Sequence, residues 1–534
     1  MKKCCSIVII LVILSMSAGC LHREPTPTSF LKTAIKPDAR PNILFILTDD
    51  LDKATTAYMP KLKALLQDQG TELSNFIINV PLCCPSRSSI LLGQYSQNTH
   101  ILTNAKVNGG YQTFHALGYE EITIATALQT SGYQTVLLGK YLNGYPKSVE
   151  PSYVPPGWTE WYSPSAGNPY REYGYTLNEN GKLVKYGEEP KDYLEDVLSN
   201  KAVDFIQRNA TTGRPFFMFL ATYAPHAPAN PAPRHANLFT DLIIPRSPSF
   251  NEADVSDKPE YVRIHALRSP EDIAKIDALF LKRIQSMQSV DEMLEKLIST
   301  LKATGQLENT YIIFTSDNGF HMGEHRMMPG KQLPYEEDVV VPFFVRGPGI
   351  PIGEKRSELT GNIDLAPTFA EIAKISSTGQ SISLLYDGTS FLSIVQGKTA
   401  PKDWRKAYLL QRWRSKVADD EGATGNNNLN LLGFAGYGVL EPPDLLEWMD
   451  VFEQITDPLF FSGLRTQDYL YVEYDTGEKE LYDLRSDPFQ LNNLASHADP
   501  NFLQQMSDWL ARVNVCAGAG CNQAEQAPVD LGKP

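Results

Sequence analysis

The chain has 534 residues, 42% of them hydrophobic and 21% charged, an ordinary globular composition on a length that calls for one large domain and a smaller one. Its formal charge of −14 argues against a basic nucleic-acid face. An anionic substrate would have to be held by a few local cations against a repulsive overall field.

In chain order, Lys2 and Lys3 precede the apolar run Ile7 to Leu14, and Ser17-Ala18-Gly19-Cys20 follows. A charged start, a short apolar run and a small-residue cleavage site describe an export signal over residues 1–19, too short to span a bilayer comfortably. Ser-Ala-Gly-Cys resembles a bacterial lipobox, which implies that Cys20 becomes a lipidated N-terminus and that the protein faces the periplasm or cell surface, held to the membrane by that lipid alone. Secretion after ordinary cleavage is the alternative. Residues 20–40, with Pro25, Pro27 and Pro37, are expected to form a flexible tether.

Asn42-Ile-Leu-Phe-Ile-Leu-Thr48 is a continuous apolar run, predicting a strand buried on both faces and ending in Asp49-Asp50. Met59 to Gln69 has helical periodicity and stops at Gly70. Phe216 to Thr222 and Tyr311 to Thr315 predict two further buried strands, the second running into Ser316-Asp317-Asn318-Gly319. Between them Ile284, Met287, Val290, Leu294, Leu297 and Leu301 recur every three or four residues, a long amphipathic helix. Alternating strands and helices predict a layered α/β core, in which ligands gather beyond the carboxyl ends of the strands. After residue 372 the texture changes: Ser376 to Ser383 and Asp419 to Asn428 look like loops, Thr466 to Glu473 and Glu480 to Leu484 like strands of a small antiparallel sheet, and 501–513 like a last helix. The expected division is 41–372 catalytic, 373–515 a C-terminal α+β subdomain and 516–534 a tail, where Cys516 and Cys521 could close a small disulfide.

Cys83-Cys84-Pro85-Ser86-Arg87, followed by Ser89-Ile-Leu-Leu-Gly93, resembles the signature of the sulfatase family. The resemblance implies an alkaline-phosphatase-like fold with a large mixed sheet flanked by helices. It also implies that Cys83, the first cysteine of the motif, is oxidised to formylglycine by a dedicated maturing enzyme, Cys84 being only the variable position. The chemical need is plain. A sulfate ester is a poor electrophile wrapped in negative charge, and an ordinary serine would be trapped as a stable ester. A hydrated aldehyde has one hydroxyl to attack sulfur and a second to expel sulfate, which makes two easier steps of one.

Asp49, Asp50, Asp317 and Asn318 are distant in sequence, yet each pair follows a predicted buried strand. Oxygen donors of this kind suit a hard cation, Ca²⁺ or Mg²⁺, and the sulfatase resemblance implies Ca²⁺. Gly132 to Thr135, continuing to Gly139-Lys140-Tyr141, resembles the second family signature, in which the lysine sits beside the formylglycine; Arg87 and Lys140 would both steady it. The common pattern has His two residues after the lysine, where this chain has Leu142 and then Asn143. His226, in Tyr223-Ala-Pro-His-Ala-Pro228, and Lys331, in Pro329-Gly-Lys331, match the family's sulfate-facing histidine and lysine, able to hold a bridging oxygen and help protonate the departing alcohol. His100 falls where sugar sulfatases carry an active-site histidine. Within the family, Cys-Cys-Pro-Ser-Arg with Gly-Lys-Tyr-Leu-Asn is most similar to the N-acetylglucosamine-6-sulfatase branch, which implies a sulfated carbohydrate as substrate.

Three rivals remain in view. His321-Met-Gly-Glu-His325 fits an inverted zinc-peptidase pattern, but a Gly interrupts it and a stable helix is not expected. A phosphate or phosphonate ester hydrolase would use the same scaffold. A lipoprotein that binds sulfated glycans without turnover would result if Cys83 were never oxidised.

Overall fold

The computed structural model describes residues 38–105, 107–375, 386–413 and 460–528. The signal segment, Cys20, most of the tether and the expected loops at Ser376–Ser383 and Asp419–Asn428 lie outside these residues.

The buried apolar runs form the middle of a sheet. β1 (Asn42–Thr48), β2 (Gln134–Gly139), β3 (Phe216–Ala221) and β4 (Thr310–Ser316) lie side by side and parallel in the order β4-β1-β3-β2. Ile43 of β1 stands opposite Phe217 of β3 and Tyr311 of β4. Six further strands, several of them antiparallel to their neighbours, extend both edges to a ten-stranded mixed sheet. Alternate residues of β1 face opposite layers. Ile43, Phe45 and Leu47 pack with Ile90, Leu91 and Phe369 on one side, Leu44 and Ile46 with Leu198, Leu294 and Leu297 on the other. Burial on both faces is why these strands show no polar alternation, and each such side chain contributes about 1.5–3 kcal/mol.

Three helices matter for the site. α1 (Cys83–Leu92) lies on the first face, α2 (Leu194–Asn209) and α3 (Pro270–Ala303) on the second. α3 starts well before the regular apolar stripe, because Ser269 caps it: its side chain accepts from Asp272 N while the Asp272 side chain reaches back to the Ser269 backbone. The Met59–Gln69 segment is helical from Pro60 to Gln67.

The C-terminal part is a four-stranded antiparallel sheet of Ala407–Arg412, Phe461–Thr466, Tyr469–Tyr474 and Lys479–Asp483. Where the sequence predicts one strand from Thr466 to Glu473, the chain turns instead: the Thr466 hydroxyl accepts from the backbone of Asp468 and Tyr469 and closes a hairpin. Phe502, Met506, Trp509, Leu510 and Val513 of α4 (Pro500–Asn514) are buried in one apolar cluster with this sheet, which Ile77, Tyr95 and Val339 also join. In the stretch expected as a tail, Cys516 and Cys521 are bridged, and Glu525 is buried against Arg405.

Candidate active site

All four central strands deliver chemistry at their carboxyl ends. β1 runs into Asp49 and Asp50, β2 into Lys140, β3 into the loop carrying His226, and β4 into Asp317 and Asn318. Backbone hydrogen bonds continue past the strand ends and fix this convergence: Asp317 N donates to Thr48 O, Thr222 N to Leu47 O, and Lys140 N to Ala221 O at 3.0 Å. Gly139 makes the last of these possible, since at φ +94° any Cβ would lie 1.8 Å from Ala221 O. Asp50 itself is left-handed at φ 65°, a conformation Asp tolerates better than most residues.

Cys83 enters from the other direction, as the first residue of α1 after an extended Leu82. It is buried, its Sγ 3.1 Å from Lys331 Nζ and 3.5 Å from Asp49 Oδ1. One turn along, the fully buried Arg87 donates from Nε to Asp317 Oδ2 (2.7 Å) and from Nη1 to Lys140 O (2.9 Å). Lys140 Nζ lies 2.6 Å from Asp49 Oδ2, and Lys331 Nζ 2.8 Å from Asp50 Oδ1. Asn318 Nδ2 donates to Asp50 Oδ1 (2.6 Å), Asp50 N to Asp317 Oδ1 (3.2 Å), and His226 Nε2 stands 3.6 Å from Asp50 Oδ2. Nine of the ten expected site residues are therefore joined in one network.

Three carboxylates, Asp49, Asp50 and Asp317, face three cations, Arg87, Lys140 and Lys331, in a nearly dry site. Burial alone would raise the Asp50 carboxyl, but Lys331 and His226 hold it well below the usual range. Asp317 goes the other way, pushed up to about 6 by burial and the charge of Asp49 against the pull of Arg87. Burial would lower Lys140, yet Asp49 keeps its ammonium well above the ordinary value. His226 is pulled down to about 4 by burial, with Asp50 opposing, so its ring is neutral at pH 7. Its Nδ1 lies 2.8 Å from Ala227 O, which can only accept; Nδ1 then carries the proton and Nε2 turns a lone pair toward Asp50. Burial and Asp49 push the Cys83 thiol well up, so the unmodified side chain is an uncharged thiol and not a thiolate nucleophile.

These residues fit a hard cation. Ligand atoms of Asp49, Asp50, Cys83 and His226 lie within 4.8 Å of one another, and Asn318 Oδ1 is a buried acceptor with no hydrogen-bond partner among the described residues. A divalent ion would take the carboxylate oxygens and that orphan amide oxygen. Arg87 Nη2 is likewise a buried donor without a partner among them, an open position for an anion's oxygen.

His100 ends a short helix, Ser96–Thr99, as an exposed left-handed residue, and its ring makes no hydrogen bond to the network among the described residues. Cys84 packs in the apolar layer beside the sheet, as does Leu142. His321 and His325 lie in irregular chain and pair with different carboxylates, Asp338 and Glu252, so they do not share a helical face. Nothing in the sequence marks Tyr170, whose ring contacts that of His226 at 4.5 Å and lies 5.1 Å from Lys140 Nζ. Arg283 also escapes sequence reasoning, although a charged residue between Phe280 and Met287, on the buried side of α3, is a visible anomaly.

Residues 41–375 match the family model described as Sulfatase. The chain belongs to the sulfatase family. It is 35% identical over 500 residues to a human N-acetylglucosamine-6-sulfatase, covering 90% of this chain and 86% of the relative. A Drosophila melanogaster protein described as an extracellular sulfatase SULF-1 homolog is 36% identical over 70% of this chain, which spans only 33% of that longer relative. Among solved structures, one in complex with its substrate D-glucosamine-2-N,6-O-disulfate superposes with a TM-score of 0.69 at 23% identity, over 88% of this chain and 97% of that one. A phosphonate monoester hydrolase from Silicibacter pomeroyi gives 0.64 at 21%, over 88% and 93%. As a sulfatase, the protein is a sulfuric ester hydrolase with the α/β fold these structures share.

Proposed function

We propose that this sulfatase removes the 6-O-sulfate of N-acetylglucosamine-type sugars, through formylglycine formed from Cys83 by a maturing enzyme and with Ca²⁺ held by Asp49, Asp50, Asp317 and Asn318. The observation that carries this reading is the position of Cys83 Sγ, buried between Lys331 and Asp49 at the start of α1. A thiol kept protonated there is a poor nucleophile, whereas a hydrated aldehyde on the same Cβ would present one hydroxyl to sulfur and one toward a carboxylate.

The protein's own groups divide the work. Carboxylates and cations cancel, so bound Ca²⁺ would supply the net positive charge that draws electrons from sulfate and acidifies the attacking hydroxyl. Arg87 Nη2 offers a donor to a sulfate oxygen, and Lys140, anchored on Asp49, steadies the nucleophile. Lys331, at Asp50, can hold the bridging oxygen and deliver a proton to the departing alcohol, while His226, whose Nε2 carries no proton, can do so only after taking one up. The helix start adds a favourable field for an anion.

The choice of sugar is supported by the motifs and by relatives named N-acetylglucosamine-6-sulfatase along nearly the whole chain. Export and anchoring through Cys20 would put the enzyme where sulfated glycans are met. The experiment compares kcat/KM for 6-O-sulfated N-acetylglucosamine, its other positional isomers, a simple aryl sulfate and a phosphonate monoester. The 6-O-sulfate should lead. A lead for another sugar sulfate or the aryl sulfate would refute the substrate, and a lead for the phosphonate would favour the reading that the shared scaffold with a phosphonate hydrolase supports.

A further inference from the structure

Arg283 is fully buried on α3, far in sequence from every residue that the sequence assigns to the site. Its guanidinium nevertheless reaches three of the four strand ends. Nη2 donates to the backbone carbonyl of Asp50 and, at 2.7 Å, to Asp52 Oδ2 in the loop after β1. Nη1 lies 3.3 Å from Pro225 O, next to His226 in the loop after β3. The plane stacks 4.3 Å from the ring centroid of Phe320, just after Asn318 and Gly319 in the loop after β4. Asp52 is itself fixed, accepting from Thr55 N and Thr55 Oγ1 at 2.8 Å each.

We infer that Arg283 is a positioning residue for sulfate hydrolysis: a rigid fork that sets Asp50, His226 and Asn318 relative to one another. The need is physical. Asp50 is left-handed and accepts from Lys331 and Asn318, so it must be held by its backbone as well as by its side chain. A carbonyl bound by a buried guanidinium cannot rotate without leaving a buried N–H donor without its acceptor, since the Asp52 carboxylate already takes the other contact of Nη2. A fork also does what an ammonium cannot, since its planar, divergent donors reach two loops while its face stacks on a third. Outer groups of this kind characteristically tune a metal site through its ligands.

The inference uses the Ca²⁺ reading above for one of its two readouts, so the test keeps them apart. Arg283→Met, Arg283→Lys and the control Leu297→Ala, which opens a cavity on the same helix away from the site, are prepared in the full chain. Each is measured for thermal stability, for Ca²⁺ affinity by calorimetry after metal removal, and for kcat and KM separately. Arg283→Met should weaken Ca²⁺ binding by about 10–100-fold and lower kcat far more than a control of equal stability. Arg283→Lys should regain stability without regaining kcat. Variants that lose stability as Leu297→Ala does, but bind Ca²⁺ and turn over like the parent, would overturn the inference. If Arg283→Met does not fold, parent-like kcat and affinity in Arg283→Lys would do the same. Should the parent bind no Ca²⁺, the metal reading falls and kcat alone judges Arg283.

Discussion

The ammonium of Lys331 lies 3.1 Å from Cys83 Sγ while it pairs with Asp50 at 2.8 Å, so one side chain links the motif cysteine to a candidate metal ligand. Cys84, one residue on, points into the apolar layer with Ile90 and Phe369 and belongs to the core. Cys83→Ala should therefore abolish turnover, whereas Cys84→Ala should keep most of it and cost about 1–2 kcal/mol of stability. Steady-state kinetics with mass spectrometry of the 82–87 peptide decides. An inactive, folded Cys84→Ala protein with Cys83 converted would contradict the assignment.

Removing the charge of Lys331 should cost stability, and the cost should depend on Ca²⁺. Lys331→Met leaves the carboxylate of Asp50 buried with less compensation, and breaking such a pair costs about 3–5 kcal/mol. Metal-stripped protein should show this loss in denaturant melts, and added Ca²⁺ should reduce it, because the ion replaces the missing positive charge. An unchanged gap with and without Ca²⁺ would separate Lys331 from the metal.

Chelation should inactivate the enzyme, and Ca²⁺ should restore it better than Zn²⁺, since the donors are carboxylate and amide oxygens. Asp317→Ala removes a carboxylate that also pairs with Arg87, so it should weaken both Ca²⁺ binding and the fold. Elemental analysis and activity after exhaustive chelation form the check. Full activity in protein free of metal would end this reading.

Stability should also depend on pH away from the active site. Burial pushes Glu525 up to about 7 from an ordinary 4.5, with Asp364 adding and Arg405 opposing. The folded state thus holds a proton that the unfolded chain releases, so the contribution is full below pH 4.5 and disappears as pH rises through 7. Glu525→Gln keeps the shape without the titration. The stability difference, parent minus variant, should fall by roughly 3 kcal/mol across this window. A difference that is flat or rises with pH would refute the assignment.

Much of the site is legible in the sequence because its scaffold is apolar on both faces. Runs such as Ile43–Leu47 cannot be mistaken for exposed chain, and the carboxylates after Thr48 and Ser316 mark the strand ends where ligands collect. The partners of those carboxylates are not legible. Asp317 faces Arg87 across 230 positions of sequence, and nothing local announces the pair. The hairpin at Thr466 is hidden because one side chain supplies a turn inside a run that otherwise looks continuous. The start of α3 is hidden because much of the Pro270–Phe280 stretch is exposed, and the regular stripe begins only later.

Gly139 joins the fold to the chemistry at a single backbone position. It sits at φ +94°, which costs a side-chain-bearing residue on the order of 1–2 kcal/mol, and a Cβ there would stand 1.8 Å from Ala221 O. That oxygen accepts the hydrogen bond from Lys140 N, so any relief of the clash moves the lysine that pairs with Asp49. Gly118 is a matched control, at φ +71° with nothing within 4 Å of the place a Cβ would occupy. Gly118→Ala should cost about 1–2 kcal/mol and leave kcat alone. Gly139→Ala should cost about 4 kcal/mol or more and lower kcat even in the fraction that folds. Denaturant unfolding gives the first quantity and active-site-normalised kinetics the second. Equal stability losses in the two variants would mean that β2 and β3 can part at Gly139 without strain, and an unchanged kcat in Gly139→Ala would mean that Lys140 is not held by this contact.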